Sequence, residues 1–169
     1  MKNHLKSIWL WSLLSSSALW SFAMSEDESV ALNTIIELSE TPEIRLKNTT
    51  LIGDWFVEQN DTFTAREYYD RAVKDYTGVR THPDYLNLLL KIANLEKDKL
   101  AARTILTEAK LLVEGDPKNE LFYAEVLEAL VWTYDIQTQD YQVVTNLLEN
   151  AINIRKKYPY TPDYSATLR

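Results

Sequence analysis

The sequence predicts an all-α chain in which about three helix pairs stack side by side. Three observations lead there. The 169 residues include only three glycines and five prolines, too few for the many tight turns of an all-β fold. Leu, Ala, Glu and Lys, all good helix formers, are abundant. Apolar residues recur at helical spacing in segments separated by short breaks at Asn60-Asp61, Gly78 to Pro83, Glu96 to Lys99 and Gly115-Asp116-Pro117.

The first 23 residues stand apart. Lys2 and Lys6 precede an apolar run from Ile8 to Phe22, and Ser21-Phe22-Ala23 places small residues at the two positions a signal peptidase reads. This is the layout of a secretory signal peptide, expected to be cleaved after Ala23. The run is short and serine-rich for a bilayer span, although an uncleaved anchor is the alternative. The expected location is periplasmic or secreted, with no integral membrane span after cleavage. Loss of residues 1–23 removes two lysines from the 18 basic residues and none of the 25 acidic ones, so the net charge moves from −7 to −9. That balance repels nucleic acid. The chain has no cysteine, so stability rests on packing without disulfides. Asn48-Thr49-Thr50 and Asn60-Asp61-Thr62 are sequons for N-linked glycosylation.

Residues 24–45 read as an acidic N-terminal segment. Within it, 24–29 lack periodicity and are expected to be unstructured, and Val30–Leu38 forms a short amphipathic helix that Ser29 caps and Pro42 ends. Leu46–Gln59 is a helix with Leu46, Thr49, Ile52, Gly53 and Phe56 on one face; Phe63–Tyr76 follows, capped by Thr62. Asp84–Leu95 and Leu100–Val113 make a second pair, and Leu121–Ile136 and Tyr141–Lys157 a third. The repeat domain spans 46–158, divided near 46–82, 83–119 and 120–158. Residues 159–169 form a tail or the start of a truncated unit, because Thr161-Pro162-Asp163-Tyr164 echoes His82-Pro83-Asp84-Tyr85.

The three pairs align. Ile52, Gly53, Phe56, Ala65, Tyr69 and Ala72 correspond to Leu89, Leu90, Ala93, Ala102, Leu106 and Ala109, and then to Leu130, Val131, Tyr134, Val144, Leu148 and Ala151. Small residues at 65, 72, 102, 109 and 151 let paired helices approach; large ones at 56, 69, 106, 134 and 148 fill the space beside them. Each pair is amphipathic and buries its face only against its neighbours.

This pattern resembles the tetratricopeptide repeat, with Ile52-Gly53…Phe56…Ala65…Tyr69…Ala72 as the best-matching unit. The phrases Arg71-Ala72-Val73, Gly78, His82-Pro83-Asp84 and Ala151-Ile152-Asn153-Ile154 resemble the kinesin-light-chain type of that family. Glycine is absent at the Leu90 and Val131 positions, and the inter-unit proline is displaced. The resemblance implies antiparallel helix-pair repeats stacked as a short right-handed solenoid, and a role in protein–protein interaction. It implies a groove lined by the first helix of each unit: Lys47, Thr50, Asp54 and Val57; Asp84, Asn87, Lys91 and Asn94; Glu125, Glu128, Trp132 and Asp135. The amides and ammonium of the second unit suit a peptide backbone or carboxylate, and the acidic third unit suits a basic segment. Trp55, Tyr160 and Tyr164 are candidate surface anchors.

Catalytic chemistry is not expected. After removal of residues 1–23 one histidine remains, His82, beside Pro83, where a capping role suffices. There is no glycine-rich phosphate loop, no nucleophile elbow and no calcium-loop spacing, so no metal or cofactor is expected. The expected function is an exported scaffold or adaptor that binds a protein or peptide partner in an envelope or extracellular assembly. The alternatives are a structural subunit that self-associates through its helix ends, and an enzyme of unrecognised type for which Glu125 and Glu128 would be the carboxylate pair.

Overall fold

The computed structural model describes residues 26–135 and 140–159, with side chains from Val30 onward. Ile136 and the tail from Tyr160 lie outside the described residues, as does the expected signal peptide. Those described form α1 (Glu26–Glu37), α2 (Pro42–Glu58), α3 (Thr62–Asp75), α4 (Pro83–Leu95), α5 (Lys99–Val113), a 3-10 turn (Pro117–Asn119), α6 (Glu120–Val131) and α7 (Tyr141–Arg155), and no strand occurs among them. None of these helices is long and apolar enough to cross a membrane. The chain divides into two compact units at Leu38/Ser39.

The described part of the first unit is α1. It begins at Glu26, four residues before the expected start, so Ser29 lies inside it and does not cap it. Its first residues, Glu26 to Ser29, read in sequence as an unstructured stretch. Leu32 and Ile36, one turn apart, are buried.

The second unit holds three hairpins. Pro42 opens α2 instead of ending the helix before it, because proline's missing N–H costs nothing at a first helical position. The Thr41 side chain accepts from the Ile44 amide at 3.2 Å. The five residues expected on the inner face of α2 are its five buried residues. At its end the Asp61 amide donates to Phe56 O and the Asn60 amide to Val57 O, both at 2.9 Å, with Asn60 at φ 61°. That is a Schellman turn with asparagine in the left-handed position, one of the few side chains tolerated there. Asp61, not Thr62, then caps α3, accepting from the Thr64 amide at 3.1 Å. Residues before and after this turn meet in opposite order: Phe56 stacks on Tyr68 with ring centroids 5.4 Å apart, and the earlier Gly53 faces the later Tyr69. The hairpin is therefore antiparallel.

His82 caps α4, its Nδ1 accepting from the Asp84 amide at 3.3 Å, and Pro83 is the first helical residue. Seven residues of α4 are buried, on two faces, because it packs on α2, α3 and α5. In turn α5 packs on α6, and α6 on α7. In the α6–α7 hairpin the start of one helix meets the end of the other: Glu120 accepts from Lys157 and from the Tyr158 hydroxyl. Ala65, Ala72, Ala102, Ala109 and Ala151 are at most 6% exposed, as close helix packing requires. Leu46, Tyr69, Tyr85, Leu89, Leu106, Val126 and Leu130 belong to one core that runs through all three hairpins. Ala124, Leu127, Ala151 and Ile154 form a second cluster inside the last.

One helix ends early. The expected Leu121–Ile136 stops at Val131, where the Thr133 and Tyr134 amides turn back to Leu130 O and Val131 O. Val131-Trp132-Thr133-Tyr134 is a run of weak helix formers. The guanidinium of Arg103 takes the Thr133 carbonyl at 2.5 Å and lies 3.8 Å from the Tyr134 ring centroid, so that segment is held by α5 instead of by its own helix.

The carboxylates in these caps and pairs set an acid limit on the fold. Thr64 holds Asp61 below the ordinary 3.8, and Arg66 and Lys157 hold Glu96 and Glu120 below 4.5. A group with a depressed folded value stabilises fully above its unfolded value and loses that contribution as pH falls through the folded one. The melting temperature is therefore expected to hold from neutrality down to about pH 5 and to fall steadily below about pH 4.5. A melting temperature by circular dichroism that rose on acidification would refute this.

Candidate functional site

The residues that the repeat register assigns to a groove lie on α2, α4 and α6 or just beyond. The structure joins the first two helices through them. A single Asp54 oxygen accepts from the Tyr69 hydroxyl at 2.6 Å and from Lys91 Nζ at 2.7 Å. Positions 54 and 91 are equivalent in the register, so the first helix pair is tied to the second through the same position. Burial, reinforced by the Asp54 carboxylate, pushes the Tyr69 hydroxyl well above its ordinary value, so it remains a donor throughout the physiological range. Lys91 is thus half of a structural ion pair, with 41% of its side chain still exposed.

Around this pair Lys47, Asn87 and Asn94 are exposed. Asp84 is partly exposed in the first turn of α4, 3.9 Å from His82 Nδ1. Val57 packs partly against the core, and the Thr50 hydroxyl is buried with no hydrogen-bond partner among the described residues. On the third hairpin Glu125 is exposed, but Glu128 is gripped by Arg155, Nε to Oε1 at 2.6 Å and Nη2 to Oε2 at 2.8 Å. The Glu128 charge of the acidic rim expected there is therefore neutralised by Arg155. Trp132 caps the end of α6 with 79% of its surface exposed, and Asp135 follows, also exposed. Trp55 lies edge-on to Phe56, centroids 4.7 Å apart, and is half-buried. Tyr160 and Tyr164 lie outside the described residues.

Two features escaped the sequence reading. Arg155 is an inward-facing arginine in the last turn of α7, a place where arginine ordinarily favours the helix dipole from the surface. The other is a shallow open depression along α5, lined by Leu100, Thr104, Thr107 and Leu111. Leu100 and Leu111 are each about two-thirds exposed. Its signal was a second stripe at spacings of three and four, beside the Ala102-Leu106-Ala109 stripe that fills the core.

Among the described residues no three His, Cys, Asp or Glu side chains gather as a metal site would require. No protein-family model matches the chain, and no curated protein matches it in sequence.

Proposed function

We propose that the chain is an exported scaffold of tetratricopeptide-like helix pairs that holds a protein or peptide partner along the face made by α2, α4 and the end of α6. The observation that carries this reading is the Asp54–Lys91 pair, which joins register-equivalent positions of neighbouring first helices and leaves Asn87 and Asn94 exposed on the same helix. Carboxamides donate and accept together, which suits an extended peptide backbone. The exposed Trp132 offers an aromatic anchor farther along.

The test is capture of crosslinked partners by the tagged full-length chain from envelope and secreted fractions, beside Asn87→Ala/Asn94→Ala. Lys91 is not a clean control, because its loss also breaks the bridge to Asp54. The double variant is expected to keep its melting temperature and lose about thirtyfold in affinity for the captured partner, two hydrogen bonds of about 1 kcal/mol each. Unchanged affinity would remove the groove from the account. Recovery of the protein only from the cytoplasm would remove export. The depression along α5 favours a second reading, self-association, and a sizing-column mass that rises with concentration would favour it over the adaptor.

A further inference from the structure

The two sequons are identical in type and opposite in surroundings. Asn48 lies inside α2, where its Nδ2 donates to Ser39 Oγ at 3.0 Å. The hydroxyl two residues on, Thr50 Oγ1, is buried, and Leu46 and Thr49 are buried beside it. Asn60 stands at the tip of the Schellman turn between α2 and α3. Glu58, Gln59, Asn60 and Thr62 are all exposed, and the side chains of Asn60 and Thr62 make no hydrogen bond among the described residues. The neighbouring Asp61 is spent on the α3 cap, so it does not compete for the Asn60 carboxamide.

We propose that Asn60 is an acceptor for N-linked glycan on the folded protein and that Asn48 is not. An oligosaccharyltransferase must reach the carboxamide nitrogen and also grip the hydroxyl two residues later. In the reaction Asn60 Nδ2 attacks the anomeric carbon of a lipid-pyrophosphate-linked oligosaccharide. The C–N bond forms as the bond from that carbon to the phosphate oxygen breaks, the amide gives up one proton, and the lipid pyrophosphate leaves. Asn60 stands on the three-residue connection Gln59–Asp61 and Thr62 is the exposed first residue of α3, so a few residues of fraying at a low-stability boundary are enough to seat both groups. At Asn48 the same access requires opening the middle of α2. The turn also orients the glycan away from the core, because its left-handed backbone places the side chain at the outer corner between the helices. In a cell, this modification needs the export proposed above, but the acceptor geometry does not rest on the adaptor reading.

The experiment is in vitro. Purified, folded full-length chain is incubated with an oligosaccharyltransferase and a lipid-linked oligosaccharide, beside a short sequon peptide that reports transferase activity. Intact mass and peptide mapping are expected to show one glycan, on Asn60. Asn60→Asp tolerates the left-handed turn but lacks the nucleophile, and Thr62→Ala lacks the recognised hydroxyl; each is expected to lose the added mass while its circular dichroism stays that of the parent. Glycan on Asn48, or none on the chain while the peptide is modified, overturns the proposal.

Discussion

Replacing Glu128 by Ala is expected to destabilise the fold by about 3 kcal/mol, more than the removal of any exposed charge in the chain. The reason lies in its partner. Arg155 is 4% exposed and its guanidinium meets the Glu128 carboxylate through two parallel hydrogen bonds. Removing the carboxylate leaves an almost fully buried cation that cannot lose its proton and has lost its bidentate partner. Replacing the cation is a smaller injury. Arg155→Met leaves a quarter-exposed carboxylate that can hydrate, and fills part of the same volume. Urea titrations of the two variants are expected to order them that way. If Glu128→Ala unfolds within about 0.5 kcal/mol of the parent, the pair is not holding α6 to α7.

Gly53→Ala is expected to cost about 1–3 kcal/mol, although alanine is the better helix former by about 1 kcal/mol. An added Cβ would lie 2.3 Å from Tyr69 Cε1 and 2.5 Å from Cδ1. The ring has no easy retreat. It is 2% exposed, and its hydroxyl is fixed to Asp54. The register indicates how the clash is relieved elsewhere. Where the first pair has Gly53 and Tyr69, the second has Leu90 and Leu106 and the third Val131 and Leu148. The small residue goes with the large ring, and a mid-sized residue with leucine. Gly53→Leu/Tyr69→Leu, which copies the second pair, is expected to be more stable than the sum of its single variants predicts. Strict additivity in thermal melts would show that the two positions do not share space.

The same pairing explains how much of the fold was legible. Inner faces of helices read well, because burial repeats every three or four residues regardless of what lies opposite. All five buried positions of α2 and the alanines of the later helices are written in that period. Helix ends read less well. Pro42 has two opposite meanings, terminator or first residue, and the choice depends on whether Thr41 finds an amide to accept from. The end of α6 is set by Arg103, 30 residues away, and no local pattern carries that. The candidate groove was legible as positions and not as states. Asp54 and Lys91 occupy the expected places, but their mutual neutralisation is a contact across 37 residues, and the grip of Arg155 on Glu128 spans 27.

The links between successive hairpins have a mechanical consequence. They are of two kinds: a shared apolar core, and a set of partly exposed polar clasps, Asp54 to Lys91, Arg66 to Glu96 and Arg103 to Thr133. The core is not weakened by charge screening, and salting-out salts strengthen it. The ion-paired clasps, 2.7 and 2.9 Å long, are weakened by screening, since the screening length falls from about 8 Å at physiological ionic strength to about 3 Å at molar salt. In dilute solution these clasps add to the core in holding the hairpins at one angle; in brine the common interior is expected to hold them with the clasps loosened, like book pages bound at the spine with the cover clasp undone. The stiffness of the surface shown to a partner thus becomes a property of the medium as well as of the chain.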